Sequence, residues 1–304
     1  MINRKVLNLA LGMAALAPAG PALAETSVVT ATSPWKLDNT GSACRMQRGF
    51  GSADAPVLLQ IEQLAPGDWF TVIVAARAFS GVTSETRVTL ATAPEAGKPI
   101  SSRFTLGDLA IDDDRKLTTL FFGPTTLNGY GAGDVPPPRV TAERQQQVTS
   151  LIVAWGDSAL QIGTGPLARS FAAMRSCTDD LVRAMGLDPQ QQASLRAKPQ
   201  PTTPPSSWLT RGDYPSDLAD EGRAALVDVR LMIDATGVVT DCRVVSGYSD
   251  PRFGQVTCGR IAAYASFKPA IDGAGQPVAS YAIHRVRWML EQRTLPRVVR
   301  PRRR

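Results

Sequence analysis

Apolar and polar residues alternate along most of this chain, and the alternation falls into two blocks with different punctuation. In the first block, from about Ser33 to Gly163, short apolar-rich runs recur at 57–64 (VLLQIEQL), 69–75 (WFTVIVA), 86–91 (TRVTLA), 103–107 (RFTLG), 116–122 (KLTTLFF) and 150–156 (SLIVAWG). Their β-branched and aromatic content, broken by Gly, Pro and Asp clusters, predicts strands. Pro66 and Gly67 stand in the order a type II turn uses. Residues 123–138 read as a long loop and 141–148 as a short helix. The period then changes. Leu167, Phe171, Met174, Leu181 and Met185 recur at three- and four-residue steps, with Pro166 placed for a first helical position and Gly186 for a stop. The spacing predicts a β-rich unit closed by a C-terminal helix.

The second block begins after KPQPTTPPSS, Lys198 to Ser207, where four prolines in ten residues favour an extended, semi-stiff spacer. The spacer is expected over 189–207, with a short helix at Gln190–Ala197. Beyond it come Trp208, the Tyr214-Pro215 pair and a short helix through Ala219. Ala225, Val227, Val229, Leu231 and Ile233 then share one face of a strand, with Asp228 and Arg230 on the other. Asp234 to Gly237 turns the chain, and Val238 to Val245 returns as the second arm of a hairpin. Asp250 and Pro251 start a helix whose expected inner stripe is Phe253, Val256, Arg260-Ile261 and Tyr264. A last strand, Val278 to Glu291, is expected to point Val286, Trp288 and Leu290 inward. The order helix, strand, strand, helix, strand predicts a small unit with an antiparallel sheet and its helices on one face. The fold class is therefore α+β, with a β-rich unit at 25–188 and a second unit at 208–292.

The two ends change the picture of where the protein works. Arg4 and Lys5 precede an apolar stretch, Val6 to Leu16, and Ala22-Leu23-Ala24 precedes Glu25, which is the order of a secretory signal. Pro18, Gly20 and Pro21 break the segment as a membrane span. Cleavage after Ala24 and a periplasmic product are expected, the alternative being an inner-membrane anchor facing the periplasm. The formal charge of +6 is not a property of the body: without Arg4, Lys5 and the six arginines of residues 293–304, about −2 remains. The Arg- and Pro-rich tail 293–304 reads as disordered and suited to an acidic envelope surface. It lacks the interleaved aromatics of single-strand binders, and an exported chain meets no nucleic acid.

Candidate chemistry is sparse. The four cysteines, Cys44, Cys177, Cys242 and Cys258, form no C-x-x-C pair and the single histidine is His284, so neither a metal site nor a cofactor is expected. In an oxidising compartment an even count reads as disulfides. Of three connectivities, Cys44–Cys177 with Cys242–Cys258 keeps each bond inside one unit. G-x-S-x-G, P-loop and H-E-x-x-H patterns are missing, and Asp112-Asp113-Asp114 reads as a solvated acidic loop. No enzyme is expected.

Several of these pieces, taken in order, resemble a known family. They are Tyr214-Pro215, the run Val227, Val229, Leu231, Ile233 followed by Asp234 and Gly237, the V-V-S-G step at 244–247, S-F-K-P-A at 266–270 and V-R-W-M-L at 286–290. Together they are similar to the TonB C-terminal domain, in particular to cysteine-containing TonB-like proteins of Gram-negative bacteria. The resemblance covers about Trp208 to Gln292 and implies a protein or peptide partner, such as a TonB-dependent outer-membrane receptor. It implies that the partner's TonB box adds as a strand along the last strand, by backbone pairing at an open edge. The peptide-binding candidates on that strand are Tyr281, Ile283, Arg285 and Arg287. The two arginines read either as charges guarding the edge or as contacts for an acidic peptide. Energy-transducing members keep an uncleaved span with a histidine, which this N-terminus lacks. A ten-residue spacer at about 3.1 Å per residue is also too short to cross a periplasm. The resemblance therefore implies binding more directly than force transduction. A membrane-anchored energy transducer and a cell-envelope structural protein are the alternatives.

Overall fold

The computed structural model describes residues 28–95, 100–101, 104–112, 115–131, 138–247 and 250–290. The expected signal segment, Asp113, Asp114 and the arginine tail lie outside the described residues. The fold is α+β, and its buried apolar side chains gather in two clusters.

The first cluster lies between two sheets. One has six antiparallel strands in the spatial order Lys36–Asn39, Cys44–Gly51, Pro56–Gln63, Phe70–Ala76, Lys116–Thr125, Phe104–Ala110. The other has five, in the order Val28–Val29, Ser158–Gly163, Ser150–Trp155, Val88–Ala93, Ile100–Ser101. Period-two alternation sends Leu59, Ile61, Val72, Val74, Leu120 and Phe122 of the first sheet into the same core as Leu90, Leu151, Val153 and Ile162 of the second. The helix Ala168–Ala184 adds Phe171, Met174, Cys177 and Leu181 to that core. It starts two residues after Pro166, with Leu167 as its cap residue, and Gly186 follows its end at φ +76°. Cys177 is bonded to Cys44 with Cα atoms 6.0 Å apart, tying this helix to the strand Cys44–Gly51.

The second cluster is built on a three-stranded antiparallel sheet. The hairpin strands Ala225–Ile233 and Val239–Gly247 and the last strand Ser280–Trp288 are ordered with Ala225–Ile233 in the centre. Val227, Val229, Leu231 and Ile233 face a core that holds Phe253 and Ile261 of the helix Pro251–Tyr264, together with Leu218, Trp208 and Trp288. Asp250 caps that helix by accepting from the Arg252 amide. Cys242 and Cys258 bond the hairpin to it, with Cα atoms 5.5 Å apart. At the hairpin turn Gly237 has φ +90°, and a Cβ there would meet the Phe267 carbonyl oxygen at 1.9 Å, so only glycine fits.

Three expectations are corrected. Tyr264 does not join the inner stripe of its helix; it is 52 % exposed and its ring lies 4.1 Å from the Arg260 guanidinium carbon. The last strand ends at Trp288, so Leu290 does not point inward and is exposed. The segment expected as a spacer is extended but not free. Pro189–Ala193 is a short helix, Ala197 bridges Ile271, Gln200–Pro201 pairs with Phe267–Lys268, and Thr202 donates to the Ser266 carbonyl. Prolines 199, 201, 204 and 205 preclude a helix, and an extended chain presents its remaining amides and carbonyls to a neighbouring edge.

Candidate functional site

The last strand runs antiparallel to the central strand in unbroken register, from Ala225 opposite Trp288 to Ile233 opposite Ser280. The central strand's other side is taken by the hairpin partner. Among the described residues no strand pairs with the far side of Ser280–Trp288, which makes it an edge strand. At its start, Gln192 from the short helix donates to the Ala279 carbonyl at 3.0 Å and accepts from the Ser280 hydroxyl at 2.6 Å. Beyond that anchored start, no strand pairs with the far side of 281–288 among the described residues.

Alternation splits this strand between two surfaces. Ala282, Val286 and Trp288 pack on the core side, and His284 lies with its ring 5.0 Å from that of Trp208. Burial lowers the His284 pKa, with the charge of Asp228 opposing weakly. Trp288 donates its indole N–H to Thr257 Oγ1 at 3.1 Å and meets the rings of Tyr214 and Phe253 at 5.4 and 5.5 Å. Tyr214 in turn donates its hydroxyl to the Arg223 carbonyl. Tyr214-Pro215 thus braces the core rather than facing a partner.

The four peptide-binding candidates, Tyr281, Ile283, Arg285 and Arg287, share the opposite face. Only Arg287 is exposed; the other three are half-buried. Arg285 is committed to Asp228, its neighbour in register, with Nε at 2.7 Å from Oδ1 and Nη2 at 2.8 Å from Oδ2. The same Nη2 donates at 3.3 Å to Thr71 Oγ1 on the strand Phe70–Ala76. Burial pushes the Tyr281 phenol up to about 12, with Asp179 of the helix Ala168–Ala184 adding to the rise and Arg230 opposing it.

The contact to Thr71 explains why the candidates are covered. All seven residues of Phe70–Ala76 are buried. Phe70, Val72, Val74 and Ala76 belong to the first core, whereas Thr71, Ile73 and Ala75 do not. They face outward, towards the polar face of the three-stranded sheet. A cavity of about 350 Å³ remains at this junction, lined by Leu58, Ile73, Ala75 and Phe121 on one side and Ala224 to Leu226 on the other. Asp228 and Arg230, which alternation assigns to a solvent face, are 3 % and 5 % exposed. The run WFTVIVA carried the available signal, because a strand apolar at consecutive positions is one buried on both faces.

Among the described residues no cluster of His, Cys, Asp or Glu is placed to hold a metal ion, and no helix is long and apolar enough to cross a membrane. Asp112 of the acidic loop is exposed and paired with Arg115.

Residues 210–290 match the family model described as the Gram-negative bacterial TonB protein C-terminal. Neither the curated proteins nor the solved structures compared with this chain match it. The match spans the three-stranded sheet, its helices and the edge strand. Its family is envelope-associated, non-enzymatic and linked to TonB-dependent transport, in which such domains interact with proteins such as outer-membrane receptors. Residues 210–290 of this chain are a domain of the TonB C-terminal family.

Proposed function

We propose that this chain is a periplasmic TonB-like binding protein, exported by cleavage after Ala24, whose C-terminal domain takes a partner peptide as a fourth strand along Ser280–Trp288. The partner fitting the family is a TonB-dependent outer-membrane receptor. The observation that carries the reading is that, among the described residues, no strand pairs with the far side of this strand of the three-stranded sheet. Its backbone N–H and C=O groups offer a partner chain the same pairing the central strand already uses. Because Arg285 is held by Asp228 and Thr71, affinity comes mainly from main-chain bonds rather than from that charge. The β-rich unit, proposed over 25–188, meets the polar face of this sheet where Arg285 donates to Thr71.

The test is binding of TonB-box peptides to the isotopically labelled full chain, followed by NMR. Amides of 281–288 are expected to shift and to gain protection from exchange. Two N-methylated versions of one peptide, blocked at odd or at even residues, should differ: the version blocked on the side that pairs loses binding, the other keeps it. Equal binding by both, or shifts confined away from 281–288, would exclude strand addition.

A further inference from the structure

Arg230 lies at the middle of the central strand, on the same face as Asp228, and is 5 % exposed. Its Nη1 has no hydrogen-bond partner, and no ion pair to it forms among the described residues. Directly opposite on the hairpin strand stands Arg243, an exposed second guanidinium. Like charges in that position destabilise a strand pair. On the other side, Tyr281 is diagonal to Arg230, since Arg230 opposes Ile283 and Met232 opposes Tyr281. Three donors therefore converge across the three strands on one face. Burial lowers the Arg230 pKa and Arg243 lowers it further, whereas the raised Tyr281 pKa keeps its phenol a neutral donor. Of the acids around it, Asp228, two residues back on the same face, is taken by Arg285, Asp241, opposite Met232, acts on Arg230, and the charge of Asp179 reaches Tyr281. None of the three forms an ion pair with Arg230.

A buried guanidinium without an anion is strongly unfavourable, and the like-charged Arg243 beside it makes it worse. We propose that Arg230, Arg243 and Tyr281 form a binding slot for a carboxylate group. The planar fork of Arg230 matches the two oxygens of a carboxylate, Tyr281 supplies a hydroxyl donor from the edge strand, and Arg243 guards the exposed rim. Asp241 and Asp179 flank the slot, so a monoanion suits it better than a dianion. The carboxylate has two sources. One is an acidic side chain on a strand added along 281–288, which would sit beside Tyr281 and Ile283 on this face. The other is a free carboxylate. The slot stands whether or not a peptide adds at the edge.

The experiment titrates the full chain, labelled at arginine and tyrosine, with sodium acetate against sodium chloride at constant ionic strength. Saturable movement of the Arg230 side-chain and Tyr281 ring signals with acetate, but not with chloride, is expected. Arg230→Met should weaken the Tyr281 response at least tenfold, and Arg243→Met, at the exposed rim, several-fold without disturbing the fold. A linear response, or one unchanged in both variants, would overturn the slot. Tighter binding of inorganic phosphate than of acetate would overturn the preference for a monoanion. A strand-forming peptide carrying glutamate, with its glutamine twin, separates the sources. Displacement of acetate by the glutamate form alone assigns the slot to a peptide side chain. Acetate binding that neither peptide disturbs assigns it to a free carboxylate, and edge binding by both peptides without displacement leaves strand addition intact.

Discussion

Replacing Arg285 with methionine should destabilise the protein by about 3–5 kcal/mol, the range for leaving a buried charge without its partner. The structure supports the upper part of that scale for one partner and not for the other. The Asp228 side chain is 4 % exposed and that of Arg285 is 21 % exposed. Without Arg285 the carboxylate stays in place between two sheets, with no water to replace two bonds of 2.7 and 2.8 Å. Asp228→Asn is milder, about 1–2 kcal/mol, because the amide oxygen still accepts and the guanidinium can turn towards water. The double change Arg285→Met with Asp228→Leu removes both charges and should recover most of the loss. Urea unfolding at pH 7 and low salt, disulfides intact, measures the wild type, Arg285→Met, Asp228→Leu and the double variant as the four corners of the cycle, with Asp228→Asn alongside, from tryptophan emission. If Arg285→Met loses less than about 1 kcal/mol, or the double variant equals the sum of its singles, the pair behaves as a surface ion pair. The sheets would then not exclude water at this point, and the reading of their contact would be refuted.

Other perturbations test other parts of the fold. His284 is the single histidine, and burial holds its folded pKa below the unfolded value of about 6.5. Its contribution is thus complete above that pH and is lost as pH falls towards the folded pKa; the decline of stability between pH 7 and 5 should vanish in His284→Phe. Cys242→Ser with Cys258→Ser opens a loop of separation 16 and should lose about 3 kcal/mol. Opening Cys44–Cys177, separation 133, should lose between about 4 and 5, both read from urea midpoints. Gly237→Ala places a Cβ into the Phe267 carbonyl at positive φ and should lower stability by about 2–4 kcal/mol, measured the same way.

Much of the local structure was legible because its causes are local. The hairpin about Gly237, the helix carrying Phe171 and Met174 and the cap at Asp250 follow from periodicity, turn chemistry and a side chain bonding its own backbone. The contact between the two sheets was not, because Asp228, Arg230 and Arg285 are charged and alternation assigns charged positions to solvent. What reverses that assignment is a second sheet, whose contribution is Thr71, Ile73 and Ala75; Thr71 is 214 positions away in sequence from Arg285, its neighbour on the last strand. Resemblance, not periodicity, assigned the peptide-binding candidates to the last strand. That Arg285 is occupied, and that Arg230 forms no ion pair among the described residues, depends on register and burial that no local pattern encodes.

The pairing of residues 197–202 with 266–271 also has a mechanical meaning. A chain segment held in this way is a pinned tether. While its bonds hold, tension between the two units is borne by the sheet contact and the bridged edge, and the connection has almost no give. Once they shear, residues 189–207 can straighten to a span of at most about 60 Å at about 3.1 Å each. In a single-molecule pull from both ends, the release should appear as one discrete step shorter than that span at low force, before either core yields.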